Sequence, residues 1–172
     1  MQFFCSSKIL LIISSIFFYT QIASAQSSLS AIATLLQLEG TVKTVTAKSS
    51  KGRRSINGML LYPGDKISTS ENSKATVEYR DGTRVRLFQN SELALNFSDE
   101  QATRKRTFNF QLSLNKGSLR GRFLKGLQRT IILTPTAQIR VKGTTVRIKD
   151  NDNRATVSLT EGQVEVSNLS SK

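Results

Sequence analysis

The sequence predicts an all-β protein: a single domain of short antiparallel and stacked strands, folded as a β-roll or a sandwich with a solenoid-like pseudo-repeat. Three observations carry that expectation. Apolar and polar residues alternate with period two along most of the chain after residue 34, which sets apolar side chains on one face of each strand and charges on the other. Turn signals recur at roughly 8- to 15-residue intervals. No stretch of helical length carries an apolar stripe of period 3.6. The best candidate, Ser91 to Arg106, spaces Leu93, Leu95 and Phe97 by two, as a strand followed by a polar loop would.

The chain opens with a segment that does not belong to the domain. Met1 to Ala25 reads as a secretory signal peptide: Lys8 and the amino terminus supply the positive region, and Ile9 to Tyr19 form an 11-residue apolar run. That run falls within the roughly 7–15 residues of a signal sequence and short of the roughly 20 that span a bilayer. Ala23-Ser24-Ala25 offers the small side chains of a cleavage site before Gln26, and Cys5 precedes the run, where a lipoprotein cysteine would follow it. No later segment is apolar enough to span, so the expectation is a periplasmic or secreted protein without a transmembrane segment after cleavage. Gln26 to Ala33 is small and polar and reads as a flexible N-terminal tail. The β domain is expected over 34–168, with 169–172 as a C-terminal tail.

Within the domain the elements follow in order. Tyr62-Pro63-Gly64-Asp65 presets a tight turn, because proline fixes φ and glycine permits a positive φ at the next position. Thr76 to Arg80 and Arg84 to Leu87 alternate around Asp81-Gly82, the signature of a two-residue hairpin. Lys48 to Arg54 and Asp99 to Thr107 read as polar loops. Phe108 to Leu114 alternates over seven residues, and Ile139–Lys142, Val146–Lys149, Val157–Leu159 and Val164–Val166 continue the pattern. Asp150-Asn-Asp-Asn153 reads as an exposed turn. Laid on itself, the chain shows an echo: 75–87 aligns with 137–148, and the element Gly-x-hydrophobic recurs at Gly40, Gly117 and Gly162. Such an echo predicts strands stacked in layers, with Gly82 and Gly143 in equivalent turns.

The composition excludes much chemistry. The chain has no histidine, and its one cysteine, Cys5, lies in the leader. His-based triads, His metal sites, disulfides and Cys-ligated clusters are therefore ruled out. The domain must be held by core packing alone. The remaining acidic residues form no local carboxylate pair, and Asp150 to Asn153 lacks the Gly and distal Glu of a calcium loop. No catalytic, metal or cofactor-binding residues are expected, and the protein reads as a non-enzyme.

Charge is the unusual feature. There are 25 Lys+Arg against 12 Asp+Glu, a formal +13; loss of the leader takes Lys8 and leaves +12 on 147 residues. The strands phase this charge outward. With Val85 and Leu87 inward, Arg84 and Arg86 face solvent, and Arg140, Lys142, Arg147 and Lys149 follow the same logic, as do Arg120 and Arg122 beside Leu119 and Phe123. A solvated sheet face accounts for this phasing. So does a face for an anionic partner such as an acidic polysaccharide, lipid headgroups or an acidic protein surface, with Arg84, Arg86, Arg140, Lys142, Arg147 and Lys149 as the candidate residues. Nucleic acid is the weaker candidate: the leader directs the chain away from it, and no aromatics interleave with the basic residues to stack bases.

Nine segments in order then resemble one family. They are Leu38-Glu-Gly-Thr-Val42, Leu61-Tyr-Pro-Gly-Asp-Lys-Ile67 with Ser68-Thr69, Ser73 to Val77, Asp81 to Leu87 and Asn90 to Leu93, followed by Gly117-Ser-Leu119, Thr134 to Ala137, Val141 to Thr144 and Leu159 to Val164. Together they are similar to a FecR domain over roughly Leu36 to Ser167. The resemblance implies an all-β periplasmic module. In founding members it belongs to an inner-membrane regulator that relays a signal from an outer-membrane receptor to a sigma factor. Only eight residues precede the apolar run and the sequence stops at Lys172. This chain therefore resembles the stand-alone exported FecR-domain proteins. Two functions are expected from this: a non-catalytic binding module of the cell envelope, linked to envelope signalling through an unidentified envelope protein, or a polyanion or glycan binder of the wall or outer surface.

Overall fold

A computed structural model describes residues 30–98, 109–124, 129–151 and 154–169. The described residues form strands and turns with no helix. The strands are β1 (Ala33–Glu39), β2 (Val42–Val45), β3 (Arg53–Arg54), β4 (Met59–Leu61), β5 (Lys66–Thr69) and β6 (Lys74–Tyr79). They continue as β7 (Arg84–Leu87), β8 (Glu92–Ser98), β9 (Asn109–Arg122), β10 (Arg129–Leu133), β11 (Ala137–Asn151) and β12 (Arg154–Asn168). Among the described residues no helix is long and apolar enough to cross a membrane. The expected loop from Asp99 to Thr107 lies outside the described residues, as do 152–153 between β11 and β12.

One curled sheet contains all twelve strands, antiparallel throughout except where β10 runs parallel to β9. Strand β9 organises it. Its first half lies between β8 and β10; its second half, from Gly117 on, lies between β7 and β11. Two arms leave it, β8-β5-β2-β3 and β7-β6-β1-β4. Their inward faces share one core: Val42, Ile67, Leu93, Leu95, Leu112 and Leu114 from the first arm meet Leu35, Val77, Val85, Leu87 and Leu119 from the second. Of the two expected architectures, a roll of two layers describes this curl. Each fully buried leucine or isoleucine contributes about 1.5–3 kcal/mol, which suits a chain whose only cysteine lies outside the domain.

Gly-x-hydrophobic elements mark where long strands pass between layers. At Gly117, φ is +87°, and a Cβ there would stand 2.6 Å from Ser91 Cα. The next residue's amide, Ser118 N–H, donates to Ser91 Oγ at 2.9 Å, and that hydroxyl donates to the Gln89 carbonyl at 3.1 Å. Gly40 repeats the device: φ is +71°, Thr41 N–H donates to Ser73 Oγ at 2.9 Å, and Ser73 Oγ donates to the Glu71 carbonyl at 2.9 Å. Gly162 packs likewise against Thr144, whose Oγ1 is buried without a hydrogen-bond partner. At Gly40 and Gly117 the repeated element is therefore a left-handed glycine whose following amide is held by a serine hydroxyl, while at Gly162 the hydroxyl makes close contact only.

Three local expectations change. The β6–β7 hairpin has a three-residue loop: Tyr79 N–H bonds the Thr83 carbonyl, Gly82 N–H bonds the Tyr79 carbonyl, and the Asp81 carboxylate takes both the N–H and the hydroxyl of Thr83. This is a type I turn closed by a glycine bulge. Gly143 makes no turn. With no aspartate to hold a loop, β11 runs through it as one 15-residue strand with shifted register against β12. Asp150, expected in an exposed turn, is buried at the end of β11. The Pro63-Gly64 turn forms as expected: Asp65 N–H bonds the Tyr62 carbonyl, while its carboxylate accepts the N–H groups of Tyr62 and Ala47.

Candidate functional site

Alternation on β7, β9 and β11 buries Val85, Leu87, Leu119, Val146 and Ile148 completely, and so turns the residues between them to solvent. The register of these three adjacent strands then decides which of the exposed cations are neighbours. Arg86 pairs with Arg120, and Arg120 with Arg147, so three guanidinium groups cross the sheet in one row. Strands lie about 4.8 Å apart. Two residues along, Arg84 pairs with Arg122; two residues the other way, Ser118 pairs with Lys149.

Some of this charge is matched. Arg84 donates through Nε and Nη2 to Glu78 Oε1 at 3.1 and 3.0 Å. Arg86 donates to the neutral oxygens of Gln37 at 3.0 Å and Thr76 at 3.4 Å. The Arg147 guanidinium lies over the Phe88 ring, 5.2 Å from its centroid. Arg120 and Arg122 have no hydrogen-bond or ion-pair partner among the described residues. Like charges directly opposed across strands destabilise a sheet, so this row costs stability in the free protein and gains most from an added anion.

Four of the six candidate residues, Arg84, Arg86, Arg147 and Lys149, are thus brought together. Arg140 and Lys142 are placed elsewhere, beyond the Gly143 bulge, in the half of β11 that pairs with β10. Both form ion pairs there with Glu165 of β12. In their stead the structure supplies Arg120 and Arg122. Their outward phase is legible in Leu119-Arg-Gly-Arg-Phe123, but their position between β7 and β11 depends on long-range pairing that local sequence does not encode.

At the Lys149 end of the face an open cavity of about 720 Å³ lies against Lys74, Phe88, Gln89, Asn90, Arg147 and Lys149. Among the described residues no group of three or more acidic, His or Cys side chains gathers as a metal site would need. The arrangement can concentrate anions on a rigid, largely apolar-backed sheet. It contains no nucleophile paired with a base.

Comparison with known proteins bears on this arrangement. A crystal structure described as that of a candidate anti-sigma factor from Parabacteroides distasonis is similar, with 20% identity and a TM-score of 0.47, over 62% of this chain and 48% of that one. The chain therefore spans about half the length of that protein. No curated protein matches. The profile of the FecR protein family matches residues 65–165, a stretch from the residue before β5 into the C-terminal part of β12 that includes every cation of the β7–β9–β11 face, and the chain belongs to that family.

Proposed function

We propose that this protein is an exported, non-catalytic FecR module of the cell envelope, made of a leader over 1–25, a short tail and the β domain, which engages an anionic partner through its β7–β9–β11 face. The observation that supports this reading best is the Arg86–Arg120–Arg147 row, three permanent charges held side by side with no carboxylate between them. Family membership favours a role in envelope signalling. The neighbouring cavity, lined by amides as well as cations, favours an anionic polysaccharide of the wall or outer surface over a folded acidic partner, because polymers thread into cavities that globular surfaces cannot enter.

Retention on acidic-polysaccharide beads tests the reading. Reversing Arg84, Arg86, Arg120 and Arg147 to glutamate is expected to abolish retention at physiological salt. Reversing Lys48, Lys51, Arg53 and Arg54 is expected to weaken it far less, and so is reversing Arg140 and Lys142. Moderate salt should elute the wild type, since exposed charges are screened over about 8 Å at physiological ionic strength. Equal losses from all three sets, or retention indifferent to salt, would reduce the face to a solvated basic surface.

A further inference from the structure

The cavity beside the arginine rows has its own chemistry. It opens between the Asn72–Lys74 turn, the β7–β8 connection, the Gly117 bulge and the end of β11. Its volume, about 720 Å³, lies within the 300–1,000 Å³ typical of small-molecule sites. Among the described residues no carboxylate lines it. Of its three cations, Lys74 is paired with Glu39 at 3.0 Å, whereas Arg147 and Lys149 form no ion pair among the described residues. Among the described residues, four side-chain amides, Asn72, Gln89, Asn90 and Asn151, and the hydroxyl residues Ser73 and Ser118 complete the polar lining.

The lining is also held in place. Asn72 and Asn90 take positive φ values of 52° and 53°, in the left-handed region that asparagine tolerates better than other non-glycine residues. Asn90 N–H bonds the Ser70 carbonyl at 3.2 Å, and Asn72 N–H bonds Gln89 Oε1 at 3.2 Å. With its oxygen engaged, Gln89 presents its NH₂ group as a donor. Phe88, half-buried, is pinned under Arg147 and tied by its N–H to the Ser118 carbonyl.

Two free cations, several amide groups and a fixed ring match a particular ligand class. Cations pair with a carboxylate, amides hydrogen-bond hydroxyl groups, and the part of the half-buried ring that Arg147 leaves uncovered packs on the apolar face of a pyranose. A bare phosphate or headgroup would use the cations and leave the amides and the ring idle. We propose that this cavity seats a carboxylated pyranose, a uronate-type residue, of an anionic polysaccharide whose following residues run onto the arginine rows. The assignment rests on the polysaccharide reading of the basic face. Successive rows lie two residues apart along the strands, about 6.7 Å, so a chain leaving the cavity meets Arg147, Arg120 and Arg86 first and Arg122 and Arg84 next.

Calorimetric titration of the full exported chain with a short uronate oligosaccharide tests this, with the methyl-esterified oligosaccharide and inorganic phosphate as the other arms. Bead retention and urea denaturation are run in parallel on each variant. Lys149→Gln is expected to weaken uronate binding about tenfold, and Asn151→Ala several-fold. Arg122→Gln should leave the short oligosaccharide nearly unaffected while lowering bead retention. Neither the ester nor phosphate should bind comparably. Equal weakening by Lys149→Gln and Arg122→Gln would overturn the cavity assignment in favour of diffuse attraction, and so would comparable binding of phosphate or ester. If beads retain the protein through the arginine rows but the uronate does not bind, the cavity assignment falls and the basic-face reading stands. If beads do not retain it, both fall.

Discussion

Tyr79 places a phenolic hydroxyl in the core, 4% exposed, with its ring edge-on to Phe110 at a centroid distance of 5.2 Å. The hydroxyl is buried without a hydrogen-bond partner. Burial first, and the nearby Asp81 charge second, push its ionisation far above the ordinary tyrosine value. A neutral group whose folded-state pKa is raised contributes stability fully below the unfolded value of about 10, and that contribution is lost as pH rises beyond it. Tyr79→Phe deletes a desolvated, unpaired hydroxyl, so urea denaturation at neutral pH should show a variant about 1 kcal/mol more stable than wild type. At about pH 10.5 the gap should widen, because only the wild type carries a buried phenol whose ionisation is suppressed by folding; Tyr62, common to both, is exposed. A variant destabilised at neutral pH would mean that the hydroxyl has a partner.

Elements are set by how the chain enters and leaves them, and here the bulge glycines dominate. Gly117→Ala forces both a left-handed φ and a Cβ 2.6 Å from Ser91 Cα onto a backbone shared by four strands. It is expected to cost more than about 2 kcal/mol. Gly58, with φ of +81° but nothing within 4 Å of an added Cβ, should cost about 1 kcal/mol on the same substitution. Similar losses at the two sites in urea titrations would show that the Ser91 contact is not the cause. The alternation that predicts β6, β7, β8 and both halves of β9 was legible because each strand buries one face. The Asp81-Gly82 hairpin was legible because aspartate and glycine together specify a turn. Gly143 misled because glycine specifies only a permissive φ. Whether the chain turns or bulges there depends on a partner for the freed amides, and in β11 the neighbouring strands provide it.

At the scale of the whole molecule the outward positive charge is an electrostatic load on the fold. Arg120→Gln relieves repulsion with both Arg86 and Arg147, so at low ionic strength it should raise stability by a few tenths of a kcal/mol. High salt should erase that gain, and at physiological salt polysaccharide retention should be impaired. A destabilised variant would show that Arg120 contributes packing the row does not need for binding. Intact-mass measurement of the exported protein should return the 147 residues that begin at Gln26; a membrane-embedded chain of 172 residues would refute the leader. The outward phase of Arg84, Arg86, Arg120, Arg122, Arg147 and Lys149 was legible from period-two alternation, but not which of them are neighbours: Arg86 and Arg120 are 34 positions apart in sequence, and Arg120 and Arg147 are 27 apart. Only the path of β9 joins them. That path also has a temporal side. The strands flanking β9 come from residues 84–98 on one edge and 129–150 on the other. A chain emerging from a ribosome or a translocon, amino terminus first, therefore exposes an open β edge until β11 has followed it out. Such long-range closure is slow and leaves the nascent chain open to wrong pairing, so the arginine row is complete only once β11 has emerged, and a chain stopped near residue 124 should be found in the hands of chaperones and proteases.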